Sequence, residues 1–230
     1  MSSVYLRARH YRELGMKELD FASLLCSRLC HDLVSPVGAI NNGIEIMEDE
    51  DSPEMREQVM DLLKQSATLT SNKLKFFRIA FGAAGGFGSE LDVNEARNAV
   101  VAFYENAKVD IEWQSSLVYA PKVVIKLLLN LALVVGESVI GAGKLRVSLS
   151  EDDDTIYAEV IAQADRIIMS PAVIAAVNGD VDETALEARI APAVLIAGLC
   201  EEYDLTCQLL DVDDKNKGFS VSICKKILKL

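Results

Sequence analysis

The run DFASLLCSRLCHDLVSPVGAINNGIEIME, from Asp20 to Glu48, sets the architecture of the first third of the chain. Ala22, Leu25, Leu29, Leu33, Val37, Ile40, Ile44 and Met47 recur every three or four positions, the spacing of one helix face. The pattern predicts a single helix over 20–48, with Asp20 as its cap. Ser52 and Pro53 then form an N-cap and first-turn pair for a second helix reaching about Phe81. Its seam is Met55, Val59, Leu62, Leu69 and Phe76, widened by Leu63, Leu74 and Phe77. The short connection packs the helices antiparallel. One hairpin cannot bury both apolar stripes, whereas two copies can, as a four-helix bundle, so the pattern predicts a homodimer.

The periods change beyond this hairpin. The glycine-rich run Gly82–Gly88 ends the second helix and marks a linker. Val93–Ala107 has a helical pattern, Val109–Trp113 is extended, and Pro121 opens a strongly apolar helix to about Ile140. Lys144–Leu149 and Thr155–Ile161 alternate as two strands around the acidic turn Glu151–Asp154. Helical stretches follow at Pro171–Val177 and Glu183–Tyr203, then strands at Thr206–Val212 and Phe219–Cys224. The chain therefore divides into a helical hairpin domain (1–81), a linker (82–88) and an α+β domain (89–230), in which helices layer on a mixed or antiparallel sheet.

Composition narrows the function. Of 230 residues, 50% are hydrophobic and 25% charged, the balance of a globular protein. A net charge of −12 repels a phosphate backbone, which argues against nucleic acid as a partner. The apolar stretch Val123–Val135 is interrupted by Lys126 and Asn130 and falls short of the ~20 residues a membrane helix needs. No apolar signal core follows Arg7, Arg9, His10 and Arg12, so a cytoplasmic location is expected. The five cysteines are odd in number and suit a reducing compartment. Cys26 and Cys30 share a helical face without partners to complete a metal set, and small core residues are expected there. The run Glu151–Asp154 lacks the spacing of a calcium loop.

His31 is the residue that departs from the core pattern. It lies two residues from both Leu29 and Leu33, roughly 200° around the helix, and so faces away from the seam. Its row is Ser27, Ser35, Gly38 and Asn42, small or polar residues that leave room for another protein. A neutral imidazole is a nucleophile, and attack on phosphorus requires its second nitrogen to be held and its growing charge offset. Asp32 stands beside it to do so. Pro36 removes a backbone hydrogen bond just over one turn beyond His31 and is expected to kink and loosen the helix there.

Arg28-Leu29-Cys30-His31-Asp32-Leu33-Val34-Ser35-Pro36 resembles the H-box of sensor histidine kinases and, more closely, the alphaproteobacterial histidine phosphotransferases of the ChpT family. The resemblance implies a dimerising hairpin followed by a degenerate histidine-kinase ATPase-like α/β sandwich. Val124–Leu131 is similar to the start of the N-box helix, Gly141–Val147 to the turn into the next strand, and Lys217–Val221 to the entry of the last strand. The ATP chemistry has no counterpart. Val134 stands where kinases carry a magnesium-binding asparagine, Ala162–Arg166 lacks the glycines of D-x-G-x-G, and Ile190–Ala193 replaces the glycine-rich lid. The implied function is a phosphorelay intermediate. His31 takes a phosphoryl group from the receiver domain of a hybrid kinase and passes it to response-regulator receivers of the CtrA-like and CpdR-like kind. Ser27, Arg28, Ser35, Gly38 and Asn42 are the expected docking surface. No cofactor is expected on this chain, and the receiver brings its own Mg2+. The alternatives are an autokinase with a divergent ATP site and a non-enzymatic receiver-binding adaptor.

Overall fold

The computed structural model describes residues 18–82, 90–181 and 187–229. His10 and most of the expected linker lie outside the described residues. Helix α1 (Glu18–Asp49) contains Asp20 in its first turn, so Asp20 does not cap it. Helix α2 (Pro53–Ala80) begins as expected, with the Ser52 hydroxyl accepting the Met55 amide at 3.3 Å. Helix α1 has no basic residue in its last turn, and Arg56 supplies that charge from α2 by donating to the Met47 and Glu50 carbonyls at 2.9 and 2.8 Å.

The C-terminal half is an α+β layer. Its main sheet runs in the order β2 (Val109–Ser115), β4 (Gly143–Glu151), β5 (Thr155–Ala164), β7 (Asn216–Cys224), β6 (Thr206–Asp213). The β2–β4 pair is parallel and the other three are antiparallel. A small pair missed by the strand patterns, β1 (Glu90–Asp92) with β3 (Tyr119–Pro121), lies apart from that sheet; three residues are too few to show an alternation. Helices α3 (Val93–Tyr104), α4 (Lys122–Gly136), α5 (Pro171–Val177) and α6 (Ala191–Glu202) accompany it. Leu145, Val147 and Leu149 of β4, Ala158 and Val160 of β5, and Phe219 and Val221 of β7 are buried, with more exposed residues between most of them, so one sheet face carries the core.

Two boundaries differ from expectation for local reasons. Helix α4 stops at Gly136, because Val139 bridges to Ile167 and the Ile140 amide bonds the Arg166 carbonyl, an extended pairing that a helix to residue 140 would forbid. The helix expected from Glu183 does not run unbroken through its described residues. Glu187 is extended, a single 3-10 turn spans Ala188–Ile190, and only then does α6 begin, with Pro192 in its first turn. Burial around Cys200 pushes its thiol up to about 11, as a core cysteine requires, but Cys26 and Cys30 are exposed rather than buried.

The hairpin is packed against the second domain rather than set apart from it. Phe76 and Phe77, assigned to the hairpin seam by spacing, instead meet Phe103 of α3 with ring centroids 4.5 and 5.8 Å apart. The buried Asn130 side chain donates to the carbonyl of Ala80, the last residue of α2, at 3.0 Å. One continuous hydrophobic core therefore runs from Phe21 and Leu24 through α4 to the sheet. Packing is tight where α3 crosses α4. The buried Tyr104 hydroxyl donates to the Ala132 carbonyl at 2.9 Å, and a Cβ on Gly136 would overlap the tyrosine ring. Gly136→Ala should consequently cost about 1–3 kcal/mol through overpacking, read as a lower midpoint in denaturant melts; an unchanged midpoint would contradict this packing.

Candidate functional site

His31 lies on α1, 69% exposed, and its Nδ1 is 3.0 Å from Asp32 Oδ1. With Nδ1 engaged by the carboxylate, the second ring nitrogen, Nε2, is the one left to react. Asp32 is itself 10% exposed. Its other oxygen, Oδ2, accepts from Arg28 Nε at 3.2 Å and Nη2 at 3.0 Å. Arg28 in turn reaches across to Glu137, just past the end of α4, with Nη2 bonded to Oε1 and Nη1 to Oε2 at 3.2 Å. One chain of contacts thus runs from the imidazole through Asp32 and Arg28 to the second domain.

Arg28 is 3% exposed, so the expectation that it docks a receiver is wrong. Burial alone would lower its guanidinium, but the hydrogen bonds and charges of Glu137 and Asp32 outweigh that and hold it above the ordinary arginine value. The remaining expected contacts do share an open face. Ser27, Ser35 and Asn42 are exposed, Gly38 is half-buried, and a Cβ on Gly38 would meet nothing within 4 Å. Pro36 behaves differently from the loosening expected of it. It is buried within a continuous helix, and the Asp32 carbonyl that it leaves without an amide partner accepts from Lys73 Nζ of α2 at 3.0 Å.

The sequence patterns do not single out Glu137 or Lys73, although each leaves a trace. A carboxylate at a helix C-terminus opposes the macrodipole, which marks Glu137 as held there by something else. A mid-helix proline orphans the carbonyl four residues back, which calls for an outside donor such as Lys73.

Val134 and Ile190, which the kinase resemblance placed at the metal ligand and at the lid, line the same cavity of about 210 Å3 beside Glu137. Ile168, Met169 and Val173 extend its apolar side, and Ser138, Ser170, Glu187 and Arg189 line the rest. Asp165, in the stretch that replaces the adenine-reading motif, is instead paired with Lys215 at 2.8 Å on the surface. Among the described residues no group of three or more His, Cys, Asp or Glu could hold a metal ion. No described helix is long and apolar enough to cross a membrane.

A histidine-bearing helical hairpin whose acid is tied to an α+β domain is the arrangement expected of a histidine phosphotransfer protein. Residues 93–215 match the family described as "Histidine phosphotransferase C-terminal domain". The chain is 42% identical over 156 residues to "Protein phosphotransferase ChpT" of Brucella abortus (strain 2308), covering 68% of this chain and 73% of that one. A solved structure titled "1.7 Angstrom Structure of a Bacterial Phosphotransferase" superposes with a TM-score of 0.79 at 32% identity, over 90% of this chain and 97% of that one. The chain belongs to the histidine phosphotransferase family.

Removing Arg28 leaves two carboxylates facing each other across the domain boundary. Arg28→Ala should cost about 3 kcal/mol, measured by denaturant unfolding, against a few tenths for an exposed charge such as Lys64→Ala. Equal costs for the two variants would remove the buried pair from the account.

Proposed function

We propose that His31 is the phosphoryl carrier of a phosphorelay, accepting from one receiver aspartate and donating to another. The observation that carries this reading is the Asp32 contact to Nδ1, which leaves Nε2 free on an exposed helix face. In the forward step the Nε2 lone pair attacks the phosphorus of an aspartyl phosphate. The bond from phosphorus to the aspartate oxygen breaks, and the aspartate leaves as a carboxylate. The proton on Nδ1 stays in its hydrogen bond, so the Asp32 charge offsets the positive charge that develops on the ring. The reverse of this step on a second receiver delivers the group onward.

The acceptor and donor receivers bring the Mg2+ that their own aspartates require, and this chain supplies neither metal nor nucleotide. The apolar side chains of Val134 and Ile190 in the cavity beside Glu137 support the second point. Receivers approach over Ser27, Ser35, Gly38 and Asn42, where small side chains permit close contact. Those of the CtrA-like and CpdR-like kind are the downstream candidates.

The homodimer is proposed on an exposed apolar stripe. Val34, Val37 and Ile44 of α1 and Met55 and Leu62 of α2 are each more than two-fifths exposed in the protomer, a strip that a second copy would cover. At about 100° per residue, Val34 and Val37 lie on the side of α1 away from Arg28, and His31 falls between Arg28 and Val34, so a dimer would leave the imidazole accessible.

Incubation with a hybrid-kinase receiver phosphorylated by acetyl phosphate tests the carrier role. The wild type should take up label, His31→Ala none, and Asp32→Asn label at a rate lowered by about 10²-fold or more. Label from ATP alone, or uptake by His31→Ala, would overturn the reading. Val37→Glu should halve the mass seen by light scattering without lowering the melting temperature of the protomer, because the side chain is exposed there; an unchanged mass would rule out this dimer face.

A further inference from the structure

We propose that Glu137, on the C-terminal domain, is a positioning residue for transfer at His31, acting through Arg28 and Asp32. The inference rests on His31 being the phosphoryl carrier, and it assigns the second domain a part in the chemistry.

Asp32 must present Oδ1 to the ring for Nδ1 to be held. An aspartate side chain has several rotamers, and the one adopted here places Oδ1 at 3.0 Å from His31 Nδ1. Arg28 selects it by gripping Oδ2 with two donors, Nε and Nη2. Arg28 can do so only while its own charge is tolerated at 3% exposure. Glu137 is what makes that possible. It takes the two Nη groups of the guanidinium, fixing the plane of the fork, so that Nε and the shared Nη2 remain aimed at Asp32. Glu137 holds this place although the end of α4 is the end that disfavours a carboxylate. Lys73 completes the arrangement by holding the Asp32 main chain, through the carbonyl that Pro36 leaves open.

A merely structural pair would behave otherwise. Buried ion pairs give way to apolar residues of similar size with little loss of stability, so folding alone does not need Arg28 and Glu137 to be charged. What the apolar pair cannot do is hold Asp32. That difference separates positioning from packing.

The experiment uses the full chain as Glu137→Gln and as the double variant Arg28→Met with Glu137→Leu. Two readouts are taken. One is the single-turnover rate of His31 phosphorylation by a hybrid-kinase receiver charged with acetyl phosphate, as a function of receiver concentration. The other is the imidazole ¹⁵N spectrum of His31 at a pH where the ring is neutral, which reports the Nδ1–H and Nε2–H tautomers directly. In the wild type the Nδ1–H form should dominate. Glu137→Gln should lower the saturating rate by on the order of tenfold with the half-saturating receiver concentration unchanged, and should raise the Nε2–H population. The double variant should fold, with a melting temperature at or above that of Glu137→Gln, yet stay slow and keep the mixed tautomers. Wild-type rate and tautomer in Glu137→Gln would overturn the proposal, as would a double variant that regains both. A change confined to the half-saturating concentration would make Glu137 a docking residue instead and would also overturn it. Should the wild type accept no phosphoryl group, the carrier reading fails, while the tautomer spectra still decide whether Glu137 orders the imidazole.

Discussion

A guanidinium held at 3% exposure has to be neutralised where it stands, and the Arg28 side chain meets that demand with one carboxylate from each half of the molecule. Asp32 comes from the hairpin and Glu137 from the second domain. The hydrophobic packing around this point, by the buried Phe21 and Leu24, is non-directional. The ion pair is directional. It fixes the rotation of α1 about its axis, and with it the direction in which His31, three residues on from Arg28, faces out of the fold.

That rotation gives α1 four distinct sides. Pro36 and the buried Gly43 turn toward α2, where a Cβ on Gly43 would press on Leu63. Phe21, Leu24 and Arg28 turn toward the second domain, where they join its core or its charges. Val34, Val37 and Ile44 form an exposed apolar strip. Between that strip and the Arg28 side lies the small-residue row with His31. A single helix thus carries a packing face, a domain-docking face, the proposed dimer face and the proposed transfer face.

The sequence reveals the parts of this arrangement that are local. Periodicity finds both hairpin helices, Ser52-Pro53 fixes the start of α2, and the two-residue offset from Leu29 and Leu33 places His31 outward, as observed. The α+β order of the second half is legible for the same reason, since alternation and turn chemistry act over a few residues. Failures arise where a distant residue decides the outcome. Arg28 looks like a surface cation because nothing near it in sequence announces Glu137, more than a hundred positions away. Phe76 fits a hairpin seam by spacing and is claimed instead by Phe103. Pro36 suggests a loosened helix until Lys73 of the neighbouring helix is seen on the freed carbonyl.

Which imidazole nitrogen reacts decides the role of every contact from Glu137 to Asp32, because that chain of contacts serves to occupy Nδ1. The direct measurement is the ¹⁵N and ³¹P spectrum of the chain after phosphorylation by a charged receiver under alkaline conditions, where phosphohistidine survives. A single phosphohistidine substituted at Nε2 of His31 is the result predicted. Phosphorus on Nδ1 of His31, or on any other residue, would contradict the account.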